Sequence, residues 1–318
     1  MTRSGKTSFE VRVPASTANL GAGFDCLGLA LDLHLTVRAT ILHDAKSLSH
    51  AQTRGVAGSE KLPTNAAENL ILRAMSHAAK RERFVLPAVS LDAHNEIPIA
   101  GGLGSSAAAI VAGIALAYAI SGRKMTEDAA LGCATALESH VDNVGAALLG
   151  GFVASMVRPD GSAVAIRRSW PKEIRVVAIT PEVTLKTSAS RAALPPSVPH
   201  ADAVFNLQRS SLFLAALEAR RYDLLADAMR DRLHQPYRQQ LIPGLAAVLS
   251  MPLLPGMLGV ALSGSGPTVV ALATSNFEKI GVAVANRFKE AGLTTVVRNL
   301  AVVHSGLKIS ALPERQRK

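Results

Sequence analysis

Aromatic residues are scarce in this chain: one Trp, three Tyr and eight Phe, 4% of 318 residues. A protein that binds single-stranded nucleic acid stacks bases on aromatic rings beside basic groups, and no basic block here is interleaved with aromatics. The shortage also means that the cores are built by close packing of Ala, Gly, Leu and Val. Cysteine is nearly absent. Cys26 and Cys133 are the only two, with no CxxC pair and no zinc-type spacing. That excludes a disulfide framework and points to a reducing compartment, so a cytoplasmic location is expected. Long apolar runs are missing too. Residues 97–122 carry no charge, but the run opens on Pro98, Gly101, Gly102 and Gly104, which is turn chemistry. Only Ala107 to Ile120 reads as continuous helix, shorter than the roughly 20 residues a bilayer requires. No apolar stretch follows Met1-Thr2-Arg3, so a signal peptide is not expected, and neither is a membrane partner.

Acidic charge is the minority: 34 Lys+Arg stand against 24 Asp+Glu, a formal charge of +10. This favours an anionic partner, such as a phosphorylated metabolite. The basic residues are scattered, so nucleic acid is not expected. The hydrophobic share of 48% is ample for packed cores. The length suggests roughly two domains, with a boundary expected near Pro171: 1–170 and 171–318.

Strands and helices alternate in an α+β order. Phe9, Val11 and Val13 alternate with polar residues, and so do Leu29 to Ile41, which predicts antiparallel strands with one buried face. Ser16 to Asp25 between them reads as a glycine-rich connection. Helices are expected over 66–82, from Ser106, from Thr126 toward His140, and over 201–219, 222–233 and 277–291. Further strands are expected at 89–93, 152–157, 164–167, 175–179, 260–262, 268–273 and 294–303.

The strongest chemical signal is Pro98-Ile99-Ala100-Gly101-Gly102-Leu103-Gly104-Ser105-Ser106-Ala107-Ala108. Glycines let backbone N–H groups approach a ligand, and the helix that follows turns its free N–H groups to the same spot. Two adjacent hydroxyls add donors or a magnesium ligand. The run reads either as a polyphosphate site or as a tight strand-to-helix turn. It is not a G-x-G-x-x-G dinucleotide fingerprint. Gly5-Lys6-Thr7 is not a Walker loop, because the earlier glycine would fall before Met1.

Pro14-Ala15-Ser16-Thr17-Ala18-Asn19-Leu20-Gly21-Ala22-Gly23-Phe24-Asp25-Cys26-Leu27-Gly28 resembles the first motif of the homoserine kinases. Pro98 to Ala108 resembles the ATP motif of the wider GHMP kinase superfamily, and Leu262 to Thr268 its third motif. His140-Val141-Asp142-Asn143 and Gln235-Pro236-Tyr237-Arg238 narrow the match to the homoserine kinases. The resemblance implies an N-terminal domain like the second domain of ribosomal protein S5. It implies a ferredoxin-like C-terminal domain, with ATP and substrate in the cleft between them. It implies phosphorylation of L-homoserine by ATP, on the way to threonine. A homodimer is compatible with it.

The resemblance also assigns roles. Pro98 to Ala108 would hold the ATP phosphates, and Asn65 the adenine. Ser106 and Glu138 would hold Mg²⁺, a hard cation that prefers oxygen ligands and bridges phosphates. The substrate carboxylate asks for an arginine, and Arg191 and Arg238 stand at the matching positions. The ammonium asks for a carboxylate, with Asp25 and Asp142 as candidates; which one contacts nitrogen stays open. Asn19, His140, Thr187 and Gly264 would complete the lining, with the loop Ser263 to Gly266 closing the cleft and offering backbone N–H groups. Where some superfamily members have an aspartate, Asn143 stands here, which cannot act as a base. Asn143 and Asp25 are therefore expected to orient the hydroxyl, with its proton leaving to water or a phosphate oxygen.

Overall fold

A computed structural model describes residues 8–42, 50–55, 63, 67–138 and 140–312. Asn65 and the start expected for the first helix at residue 66 lie outside the described residues. The chain begins with β1 (Ser8–Asn19), β2 (Gly23–Ile41) and β3 (His50–Gly55), then α1 (Leu70–Glu82), β4 (Val89–Asn95), α2 (Ser105–Ser121), α3 (Glu127–Thr135) and α4 (Asp142–Leu149). A hairpin follows, β5 (Phe152–Val157) and β6 (Ala163–Arg168). The second half runs β7 (Arg175–Pro181), α5 (Thr187–Ala192), α6 (His200–Glu218), α7 (Leu225–Ala228), α8 (Gln235–Arg238), α9 (Leu245–Leu249), β8 (Met257–Leu262), β9 (Val269–Ala273), α10 (Phe277–Glu290), β10 (Thr295–Leu300) and β11 (Lys308–Leu312).

Two sheets result. The first is seven-stranded, with the path β11-β1-β2-β4-β3 and β5-β6 branching from β2. Its pairs are antiparallel except β3 with β4. The second is four-stranded, in the order β10-β7-β9-β8. Its strands pair antiparallel throughout. Numbered along their own half, these strands lie 4-1-3-2, and the main helices fall between the first and second and between the third and fourth. That is the ferredoxin-like arrangement. β11 crosses back to pair with β1, so residues 171–318 also supply an edge to the first sheet.

Alternation along β2 buries Leu29, Leu31, Leu35, Val37 and Ala39. Leu33 is only half-buried, because the register slips between Pro14 and Ala15: Pro14 faces His34 but Ala15 faces Leu31. The extra residues form a bulge that bends the long strand. The expected glycine-rich connection is mostly strand: Ser16 and Thr17 pair with Ala30 and Leu29, and the turn shrinks to Leu20–Ala22.

α2 is apolar on every side and buried from Ala107 to Tyr118, as expected of a helix enclosed by protein. Small residues let its neighbours come close. A Cβ on Gly113 would lie 2.3 Å from the Ile71 carbonyl oxygen of α1. A Cβ on Gly28 would lie 2.2 Å from the Asp142 carbonyl, so α4 packs directly on β2. Among the described residues, no helix is long and apolar enough to cross a membrane.

Two expected helices end early. α3 is capped by Thr126, whose hydroxyl accepts from the Ala129 N–H, but it stops at Thr135, and the chain turns before α4. The helix expected over 222–233 stops at Ala228. There Asp231 takes the N–H groups of Leu233, His234 and Gln235 with its own carboxylate, which replaces helical bonding by side-chain capture.

Candidate active site

Loops from both halves meet over a cleft. Three backbone contacts fasten them. The Ser16 N–H donates to the Leu103 carbonyl at 3.1 Å, Gly264 N–H to Ala18 at 3.1 Å, and Thr268 N–H to Gly101 at 3.2 Å. The three motifs of the sequence thus form one surface. Gly102 is needed here, since its φ is +81° and a Cβ would lie 2.7 Å from the Ser263 carbonyl.

The phosphate loop ends at Gly104, the N-cap of α2, with φ of 72°. Pro98, Ala100, Gly101, Gly102, Gly104, Ser105, Ser106 and Ala107 line the cleft. Ile99, Leu103 and Ala108 do not; Leu103 and Ala108 are fully buried in the core. The start of a 17-residue helix therefore faces the cleft with its free N–H groups, suited to phosphate.

Opposite it stands a polar wall. Asn19, Leu20 and Asp25 all have positive φ, at 73°, 47° and 56°. Such left-handed geometry in non-glycine residues is held by its surroundings and often marks functional sites. The Asn19 Nδ2 donates to the Gly264 carbonyl at 2.9 Å, and its Oδ1 accepts from the Asp25 N–H at 3.1 Å. Asp142 is buried. Its Oδ1 accepts from the Asn143 N–H at 2.6 Å and contacts His140 Nδ1 at 3.1 Å, while Oδ2 takes none of these bonds. Burial works against the charge of His140, but the Asp142 hydrogen bond and the Asp142 and Glu138 carboxylates outweigh it and raise the pKa.

Asn143 is oriented by Ser16, whose hydroxyl donates to Oδ1 at 2.8 Å. Its Nδ2 lies 3.4 Å from the Asp142 carboxylate. That carboxylate repels a carbonyl oxygen, so the amide nitrogen is held on the Asp142 side and can only donate.

The arginines differ. Arg191 is already paired: its terminal nitrogens donate to both oxygens of Asp25, at 3.0 and 2.7 Å. Arg238 is 1% exposed, and among the described residues no carboxylate pairs with it. Its Nε donates to the Ser190 carbonyl at 3.3 Å, and its Nη1 to the Gly264 carbonyl at 2.9 Å and to His234 Nδ1 at 3.1 Å. Burial, and then Arg191, push its pKa down to about 10. Both guanidiniums lie over the Phe24 ring, at 5.6 and 5.4 Å.

Glu138 lines the same cleft with Ser106. Among the described residues its Oε2 is buried without a hydrogen-bond partner, and burial raises its pKa. An orphaned carboxylate oxygen beside a phosphate loop fits a magnesium ligand.

The cleft therefore gathers Asn19, Asp25, Glu138, His140, Asp142, Asn143, Thr187, Arg191, Arg238 and Gly264. Within the loop Ser263 to Gly266, Gly264 itself does not turn its N–H to the cleft. Its N–H is bonded to Ala18, and its carbonyl serves Arg238 and Asn19 instead. Sequence reasoning missed roles for Ser16 and Phe24 inside the first motif, and missed His234, one residue before the quoted Gln-Pro-Tyr-Arg.

Such a cleft, with a glycine loop at a helix start between two α+β layers, defines a small-molecule kinase. The family model described as "GHMP kinases N terminal domain" matches residues 69–151, and "GHMP kinases C terminal" matches 213–290. The homoserine kinase of Persephonella marina is 40% identical over 303 residues, covering 95% of this chain and 98% of that one. That of Moorella thermoacetica is 42% identical over 299 residues, covering 93% and 98%. The crystal structure of homoserine kinase from Cytophaga hutchinsonii superposes with a TM-score of 0.82 at 29% identity, covering 98% of this chain and 99% of that one. The chain belongs to the homoserine kinase family of the GHMP kinases.

Proposed function

We propose that this chain transfers the terminal phosphoryl group of ATP to the side-chain hydroxyl of L-homoserine, giving ADP and O-phospho-L-homoserine. The observation that carries the substrate is Arg238, a buried cation that no carboxylate pairs with among the described residues. A buried charge left unpaired is expensive, so a ligand anion belongs beside it. The substrate carboxylate supplies that anion. Asp142 faces the same cleft, and among the described residues its hydrogen bonds fall on Oδ1 and leave Oδ2, whereas both Asp25 oxygens are held by Arg191. We therefore assign the ammonium to Asp142, with Asp25 orienting Arg191 and the acceptor.

The reaction needs positioning and charge stabilisation more than covalent chemistry. Asn143 donates to the acceptor hydroxyl oxygen and aims it at the phosphate. It cannot take the proton, which leaves to water or a phosphate oxygen. Ser106 and Glu138 would hold Mg²⁺, which neutralises phosphate charge when bound. Residues 1–170 would form the ATP-binding unit, and 171–318 the unit that closes over it.

The test is ADP release from Mg·ATP with L-homoserine, D-homoserine, L-threonine, mevalonate, galactose and shikimate as acceptors. Preference for L-homoserine, with phosphate on its side-chain oxygen, supports the reading. Turnover only with an acceptor lacking an amino group would overturn the roles of Asp142 and Arg238.

A further inference from the structure

Arg238 owes its position to a histidine that does not touch the cleft. His234 is fully buried. Its Nε2–H donates to the Gly21 carbonyl at 2.9 Å. With that proton on Nε2, Nδ1 carries a lone pair and can only accept, and the donor it meets is Arg238 Nη1 at 3.1 Å. The ring stacks on Phe24, with centroids 4.9 Å apart and planes 18° from parallel. Phe24 in turn lies beneath both cleft arginines.

Among the described residues, Arg238 hydrogen-bonds to three groups: two are backbone carbonyls, and the third, His234, is the one side chain. All three are uncharged. A carboxylate in place of His234 would make the same bond but neutralise the guanidinium, and the cleft would then lose its pull on an anion. Among the described residues, the carboxylate within 4 Å of the ring nitrogens is that of Asp231, 3.6 Å from Nε2. It is occupied by Asn206 Nδ2 and by the N–H groups of Leu233, His234 and Gln235. Arg238 thus keeps its Nη2 and its net charge for a ligand.

We propose that His234 is a positioning residue that sets recognition of the substrate carboxylate, by fixing the Arg238 guanidinium without neutralising it. This rests on the reading of Arg238 given above. The experiment compares kcat/KM for L-homoserine with kcat/KM for 3-aminopropan-1-ol, the same molecule without its carboxylate. The ratio of the two reports carboxylate recognition alone. Arg238→Leu should lower that ratio about ten- to hundredfold, the range for a charge-assisted hydrogen bond. His234→Gln, whose amide falls near Nε2 and not Nδ1, should lower it several-fold or more. His234→Asn, whose carbonyl replaces Nδ1, should keep it within a few-fold of the parent, with KM for ATP unchanged in all three. A purely structural histidine would lower both kcat/KM values together and would not separate Asn from Gln. If Arg238→Leu lowers the ratio and neither His234 variant does, the positioning role is wrong. An unchanged ratio in Arg238→Leu overturns the carboxylate reading and the role of His234 with it.

Discussion

Arg191 grips Asp25 with both terminal nitrogens, at 3.0 and 2.7 Å, joining α5 of the second half to β2 of the first. The two residues are 166 positions apart, and each side chain is about a third exposed (33% and 35%). The pair closes one wall of the cleft. It raises the pKa of Arg191, through the Asp25 hydrogen bond above all, so Arg191 stays charged at any working pH.

An ion pair this exposed contributes about 0–1 kcal/mol to stability. Its value lies in orientation. Asp25→Asn should therefore leave the melting temperature within a few degrees of the parent, while kcat/KM for L-homoserine falls tenfold or more. A calorimetric scan beside steady-state kinetics checks both. A large loss of stability with intact kinetics would make the pair a structural strut only.

Asn143 should act in the transition state. Asn143→Ala removes the donor aimed at the acceptor oxygen and leaves the phosphate loop intact. We expect kcat to fall while KM for ATP moves little. Loss of ATP binding with undiminished turnover would argue against the assignment.

Glu138 is the metal test. Replacing its carboxylate by an amide keeps the shape and removes the charge that Mg²⁺ needs. Glu138→Gln should raise the magnesium concentration for half-maximal activity. An unchanged magnesium dependence would take Glu138 out of the metal site.

Much of this was legible in the sequence, for a physical reason: local patterns fix local structure. β4 follows strict alternation, buried at Val89, Leu91, Ala93 and Asn95. The glycine loop and the helix start after it came from residues within ten positions of one another. What escaped was long-range. The Arg191–Asp25 pair and the His234–Gly21 contact, 213 positions apart, exist because two halves fold together. β11 gave no signal that it would return to β1. His234 carries no local signal, because its burial comes from Phe24 and Gly21 and not from its neighbours in sequence. Asp231 ended a helix that periodicity alone would have continued.

Gly104 links the phosphate loop to Asn143. At φ of +72° a Cβ would sit 2.0 Å from the Ser16 hydroxyl oxygen, the group that fixes the Asn143 amide. Left-handed geometry alone costs an L-residue about 1–2 kcal/mol. Gly104→Ala should lose at least that in urea unfolding and should also lower kcat, because Ser16 must move. Stability lost with kcat intact would show that Ser16 does not set the Asn143 geometry.

Buried His234 and half-buried His140 should give opposite pH signatures. Burial pulls the His234 pKa below 6.5; Asp231 opposes this and Arg238 reinforces it, with the Gly21 carbonyl and Asp25 as smaller opposing influences. Between 6.5 and that lower value the unfolded chain holds more protons, so stability falls as pH falls. His140 is shifted upward. Its contribution is complete below 6.5 and is lost as pH rises through its higher pKa. His234→Asn cannot be protonated, so it should flatten the acid side of the stability curve and leave the side above 6.5 alone. His140→Gln should flatten the side above 6.5. Urea unfolding from pH 5 to 8, without ATP or metal, reads both. A parent curve that His234→Asn merely displaces, with its slope below 6.5 intact, would mean that another group titrates there.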